Sequence, residues 1–154
     1  MEFSGTRDYS IDDRNRVPIP PEYREAFAAK AWLVPGPERV IHIYTEEGWR
    51  QRAEPLKRLP MTNRETRRRV RAFFANSTPV QPDAQSRITI PQRFLEYARI
   101  GEDKKVVVLG NLTHLELWNK SSWEAEVGEL EDSGFLVLDD PSAFEPPDFM
   151  GEEG

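Results

Sequence analysis

The sequence predicts an α+β fold made of two tandem copies of one small β-rich module, related by internal pseudo-two-fold symmetry and followed by an acidic tail. Three observations carry this. Asp12-Asp13-Arg14-Asn15-Arg16-Val17-Pro18-Ile19-Pro20 runs in step with Asp83-Ala84-Gln85-Ser86-Arg87-Ile88-Thr89-Ile90-Pro91 at an offset of 71 residues. Ile41-His42-Ile43-Tyr44 followed by Trp49 runs in step with Leu115-Glu116-Leu117-Trp118 followed by Trp123 at an offset of 74. Between these anchors the same order of apolar stretches, prolines and glycines is read twice. A three-residue loop difference accounts for the change of offset, and two ordered matches mark a duplication rather than chance.

Each copy predicts the same elements in the same order. A strand ends at the Asp, a tight turn follows, and an alternating strand begins at the Arg, with Val17 and Ile19 or Ile88 and Ile90 on one face. Pro20-Pro21 and Pro91 suit a helix start, where the missing N–H costs nothing, so helices are expected through Tyr23–Phe27 and Phe94–Ala98. Two further strands follow, near Trp32–Val34 and Val40–Tyr44, then Lys105–Leu109 and Leu115–Trp118, with Gly36 and Gly110 marking the turns. A helix closes each copy: Thr45 can cap the first, with Glu46 and Glu47 in its first turn, and Ser121-Ser122-Trp123-Glu124 reads as a capping box for the second.

Between the copies Thr62-Asn63-Arg64-Glu65 reads as a further capping box, opening a helix to about Ala75. Val70, Phe73 and Phe74 form its expected buried side, and Arg64, Arg67, Arg68 and Arg71 its basic stripe. The expected segments are therefore 1–62, a first module with its helix; 63–76, an arginine-rich connecting helix; 77–130, a second module with its helix; and 131–154, an acidic tail with little order. Within that tail Phe135-Leu136-Val137-Leu138 is an apolar patch able to dock. A unit of about 45 residues is small to stand alone, but two copies can complete a shared core by exchanging strands.

The net charge of −6 conceals a division. Residues 124–154 hold eleven acids and no Lys or Arg, which leaves 21 basic against 16 acidic side chains in residues 1–123, a net of +5. A basic body fits a polyanionic partner. The chain has no cysteine, which excludes disulfides, thiolate metal sites and cysteine nucleophiles and suits a reducing cytoplasm. No export signal opens the sequence and no apolar run approaches the ~20 residues needed to cross a bilayer. No phosphate-binding glycine loop, metal quartet or nucleophile–His–acid set is visible, so no cofactor, metal or small-molecule substrate is expected and the chain is read as not an enzyme.

The repeated Asp-x-x-x-Arg turn is the most informative chemistry. A carboxylate four residues before an arginine can hold the guanidinium in one orientation by a bidentate pair. The residues alone leave two readings open: an internal ion pair that staples a hairpin, or a loop that presents a fixed cation outward. Duplication does not choose between them, because a repeated fold repeats its staples.

The order of Phe3-x-Gly5, Asp12-x-x-x-Arg16, Ile19-Pro20, an arginine-rich middle helix, Asp83-x-x-x-Arg87, Ile90-Pro91 and Trp118-x4-Trp123 resembles the MraZ family over about residues 1–130. The resemblance implies tandem AbrB-like swapped-hairpin modules and a transcriptional regulator of the division and cell-wall gene cluster. It further implies a cytoplasmic, nucleoid-associated protein that binds promoter direct repeats on double-stranded DNA as a ring-shaped homo-oligomer. Arg14, Asn15 and Arg16, with Gln85, Ser86 and Arg87, become the DNA-binding residues, and Asp12 and Asp83 the acids that orient the loops. The family pattern carries Gly just before each motif Arg, where this chain has Asn15 and Ser86.

Other residues have plainer readings. The Arg64/Arg67/Arg68/Arg71 stripe is expected to be solvated or to meet a neighbouring subunit rather than DNA. His42 and His114 are expected as packed or surface residues rather than ligands, and Trp49 and Trp123 as fillers of core or interface. The rival functions are a ring-forming protein-interaction scaffold, an AbrB-type antitoxin or transition-state regulator and, more remotely, a hydrolase pairing Asp12 with Asp83. An autoinhibitory acidic tail competing with DNA is a further expectation from charge alone.

Overall fold

Strand exchange between the two copies builds the protein, whose computed structural model describes residues 1–136. The elements in chain order are β1 (Thr6–Ser10), β2 (Arg16–Pro18), β3 (Ala31–Gly36), β4 (Val40–Thr45), α1 (Glu46–Lys57), α2 (Arg64–Asn76), β5 (Thr78–Val80), β6 (Arg87–Thr89), α3 (Gln92–Tyr97), β7 (Lys105–Asn111), β8 (His114–Asn119) and α4 (Lys120–Ser133). Met1–Trp123 form one compact unit, and the described residues from Glu124 to Leu136 belong to a second.

Six strands make one antiparallel sheet in the order β1-β7-β8-β4-β3-β5. The first strand of copy one thus pairs with the β7–β8 hairpin of copy two, and β5 of copy two pairs with β3 of copy one. At the centre β4 meets β8, with His42 opposite Glu116. These are the equivalent positions of the two copies, so the pseudo-two-fold axis passes between them. The axis also passes through the small β2–β6 ribbon, where the equivalent Val17 and Ile88 are partners. Neither copy could close its sheet alone, and the expected exchange is present.

Period-two alternation places Leu33, Ile41, Ile43, Val106, Val108, Leu115 and Leu117 on one face of the sheet. They pack with Val17, Ile19, Ile88 and Ile90 of the ribbon and with Phe27 and Phe94, all buried. Cutting either phenylalanine back to alanine would cost about 3–5 kcal/mol. The other face carries a smaller cluster of Val40, Val107, Leu109 and Trp118, with Trp123 against it.

Several local expectations need correction. The helix expected through Tyr23–Phe27 is only a 3-10 turn, Pro21–Tyr23, followed by irregular turns. Tyr23 is pinned by its hydroxyl, which donates to the Ser4 carbonyl at 3.0 Å and accepts from the Ser4 N–H at 2.9 Å, and β3 resumes at Ala31 before a regular helix can extend. In copy two α3 does form. Gly36 and Gly110 lie within strands rather than at turns; the turns use Glu38, Arg39 and Leu112 at positive φ. What the glycines supply is space. A Cβ on Gly110 would stand 2.2 Å from the Ser4 nitrogen, and one on Gly36 2.4 Å from His42 Nε2.

The caps also shift. Thr45 caps α1 as expected, its Oγ1 accepting from the Gly48 N–H at 2.9 Å. Asn63 rather than Thr62 caps α2, accepting from the Glu65 and Thr66 N–H groups. Asn119 rather than Ser121 or Ser122 caps α4, accepting from both of their N–H groups. α4 runs to Ser133, past the expected start of the tail. Phe135 and Leu136 are exposed; Val137, Leu138 and the rest of the expected tail lie outside the described residues.

Candidate nucleic-acid interface

The two Asp-x-x-x-Arg loops are near-exact copies. In the first, the Asp12 carboxylate accepts from the Arg14 N–H at 2.9 Å and the Arg16 N–H at 2.8 Å through Oδ1, and from Arg16 Nε at 2.8 Å through Oδ2. In the second, Asp83 accepts from the Gln85 and Arg87 N–H groups and from Arg87 Nε, each at 2.9 Å. The backbone closes both turns identically: Asn15 N–H donates to the Asp12 carbonyl, and Ser86 N–H to the Asp83 carbonyl. Asn15 and Ser86 adopt φ of 60° and 59°, the left-handed region that favours glycine. Asn tolerates it through its short polar side chain; Ser does so at greater cost.

The expected bidentate pair is corrected by this geometry. Each guanidinium meets its own aspartate through Nε alone and turns its Nη1 toward the aspartate of the other copy, Arg16 to Asp83 at 3.7 Å and Arg87 to Asp12 at 3.9 Å. The β2–β6 ribbon brings this about by setting the loops side by side, with Ile19 N–H donating to the Ser86 carbonyl and Ile90 N–H to the Asn15 carbonyl. Four charges from residues far apart in sequence thus form one alternating cluster.

Arg16 and Arg87 are neither sealed nor free: their side chains keep 22% and 29% of their exposure. Arg14 and Gln85, at the tips, are exposed. Arg14 makes no ion pair among the described residues. The Arg16 backbone N–H does most to hold the Asp12 carboxyl below its usual value, partial desolvation opposes it, and the Arg16 side chain and Arg14 N–H add to the lowering. Asp83 is lowered likewise, led by the Arg87 N–H. Both aspartates are therefore ionised at neutral pH and unsuited to sharing a proton, which removes the chemical basis of the hydrolase reading.

The remaining candidates fall elsewhere. Arg64, Arg67, Arg68 and Arg71 are all exposed on α2, while Val70, Phe73 and Phe74 are only half-buried. Trp49 joins α1 to this region. It stacks on Trp32 at 4.0 Å, lies near Phe73 and Phe74, and donates through Nε1 to Ser77 Oγ at 3.0 Å. Trp123 packs edge-on against Trp118 at 5.1 Å.

Sequence reasoning missed one group. His42 and His114 stack at 4.2 Å between ring centroids, and both turn Nε2 toward Oε2 of Glu116, at 3.6 and 3.2 Å. Burial, then the charge of His114, bring His42 down to about 4, against the charge of Glu116. Burial would raise the Glu116 carboxyl, but hydrogen bonds from His114, Asn111 and Trp118 and the charge of His42 outweigh it and bring it to about 2. The signal was present in the repeat: His42 and Glu116 are equivalent positions, and equivalent strands meet at a pseudo-two-fold seam.

Comparison with known proteins agrees with this architecture. The family model for the MraZ protein, described as antitoxin-like, matches residues 2–72 and again 73–136. The transcriptional regulator MraZ of Clostridium tetani is 37% identical over 122 residues, 79% of this chain and 84% of that one. The namesake of Moorella thermoacetica is 37% identical over 130 residues, 84% of this chain and 90% of its own. That of Acetivibrio thermocellus is 39% identical over 127 residues, 82% of this chain and 87% of its own.

Proposed function

The chain belongs to the MraZ family, and from that premise we propose that it is a transcriptional regulator, not an enzyme, that binds promoter direct repeats of double-stranded DNA through its paired loops. The observation that carries the reading is the exposed Arg14, without an ion pair among the described residues, at the tip of a loop whose backbone Asp12 fixes with two N–H bonds. A cation on so constrained a turn loses little freedom on meeting a phosphate or a guanine edge.

The roles divide between the loops. Arg14, with Asn15 and the accessible part of Arg16, forms the principal contact; Gln85, Ser86 and Arg87 form a second, less charged one. Asp12 and Asp83 orient both. One protomer offers few contacts, so its affinity is weak and falls steeply with salt. Head-to-tail assembly into a ring, with the exposed Arg64/Arg67/Arg68/Arg71 stripe against a neighbour, would repeat the loops and add weak contacts on spaced repeats. The target is the division and cell-wall gene cluster, and the protein works in the cytoplasm at the nucleoid.

A specific observation favours a second reading. Because Arg16 and Arg87 each contact both aspartates, the motif is also a staple between the copies, as a protein-interaction scaffold would need. Mobility shift of upstream DNA carrying spaced repeats, competed with random DNA at rising salt, separates the two. A regulator retains the repeats preferentially; a scaffold, or an antitoxin acting through protein contacts, shows no preference.

A further inference from the structure

We propose that His42, His114 and Glu116 form a three-donor site for one divalent transition metal of the zinc class, cross-linking the two copies at the centre of the sheet. The donor set is two imidazoles and a carboxylate with atoms all within 4.8 Å of one another. Around a tetrahedral zinc with arms of about 2.0–2.2 Å, neighbouring donors stand about 3.4 Å apart. The two His–Glu separations, 3.2 and 3.6 Å, bracket that edge. The remaining edge, between the imidazoles, closes by turning the rings out of their stack.

Each donor already has the outer support that metal ligands carry. His114 Nδ1 meets Thr113 Oγ1 at 2.9 Å, and His42 Nδ1 lies 3.4 Å from the Tyr44 hydroxyl, leaving Nε2 of both rings toward the carboxylate. Trp118 Nε1 donates to Glu116 Oε1 at 2.9 Å, and Asn111 Nδ2 to Oε2 at 2.9 Å, fixing the carboxylate plane. Gly36 leaves the space that the His42 ring fills. Both histidine side chains retain some exposure, so a metal can enter and keep water in the open position.

The consequence is mechanical. His42 belongs to the first copy, His114 and Glu116 to the second, and a bound ion would hold β4 to β8, the seam between the copies at the centre of the sheet. The test uses the full chain stripped with EDTA. Titration with zinc chloride should show one equivalent bound, cobalt should give the absorption bands of a tetrahedral ion that zinc displaces, and the Tm should rise by about 5 °C or more at a hundredfold excess over Kd. His42→Gln and His114→Ala should each abolish the shift. Imidazole 15N resonances of both histidines should move with zinc in the unsubstituted protein, a readout independent of any variant's folding. No bound equivalent, unmoved histidine resonances, or variants that bind as the unsubstituted chain does (a metal held by the acidic end instead) would overturn the proposal.

Discussion

Arg16 Nη1 lies 3.7 Å from Oδ2 of Asp83, the aspartate of the other copy, while its Nε is held by Asp12 at 2.8 Å. One guanidinium therefore ties two loops together, and its partial exposure keeps the contact modest. Arg16→Ala should lower the Tm by about 3 °C. A double-mutant cycle with Asp83→Ala should show the two substitutions to be less than additive; strictly additive melts would mean that the cross-contact carries no energy.

The left-handed residues predict a gain. Ser86 sits at φ 59°, where a Cβ costs about 1–2 kcal/mol. Ser86→Gly should therefore stabilise the protein by about 1 kcal/mol in urea melts, after the larger entropy of an unfolded glycine is subtracted. Asn15→Gly should give less, because Asn is at ease in that region.

The duplication, the strand order within each copy and the basic body were legible because they depend on local pattern and composition. Asn63 and Asn119 were not, since in each case neighbouring Thr or Ser residues also fit a cap and only the helix phase decides. Nor was the crossing of Arg16 to Asp83, which depends on which strand of one copy lies beside which strand of the other; His42 and Glu116 could be matched as equivalent positions, but the repeat did not say that their strands would be neighbours. Gly36 and Gly110 were read by the commonest use of glycine, a turn, when close approach of other atoms was the cause.

Those glycines should respond differently to alanine. At Gly110 the new Cβ meets backbone, the Ser4 nitrogen and the Phe3 carbonyl carbon, which cannot move without breaking the Phe3–Leu112 bridge. Gly110→Ala should cost about 3 kcal/mol. At Gly36 it meets the end of the His42 ring, which can turn away, so Gly36→Ala should cost about 1 kcal/mol. Equal losses in denaturant melts would contradict this account.

Acid should weaken the paired loops. Asp12 and Asp83 are both lowered in the folded state, so the stability they lend is fully present above their ordinary value of 3.8 and is lost as pH falls through their folded values. An Asp12→Asn/Asp83→Asn protein should start less stable at pH 7, and its deficit should shrink below about pH 4. A deficit unchanged from pH 7 to pH 2 would show that ionisation of the pair contributes nothing.

The central claim is that the loops meet DNA through Arg14, and Arg14→Ala tests it most directly, because Arg14 has no ion pair among the described residues to lose. Anisotropy of labelled upstream DNA with spaced repeats should show at least a tenfold weaker affinity for the variant, on the scale of one lost base-edge or phosphate contact, with the Tm unchanged. Equal binding of the variant and the unsubstituted protein, or equal binding of repeats and random DNA by the latter, would contradict it.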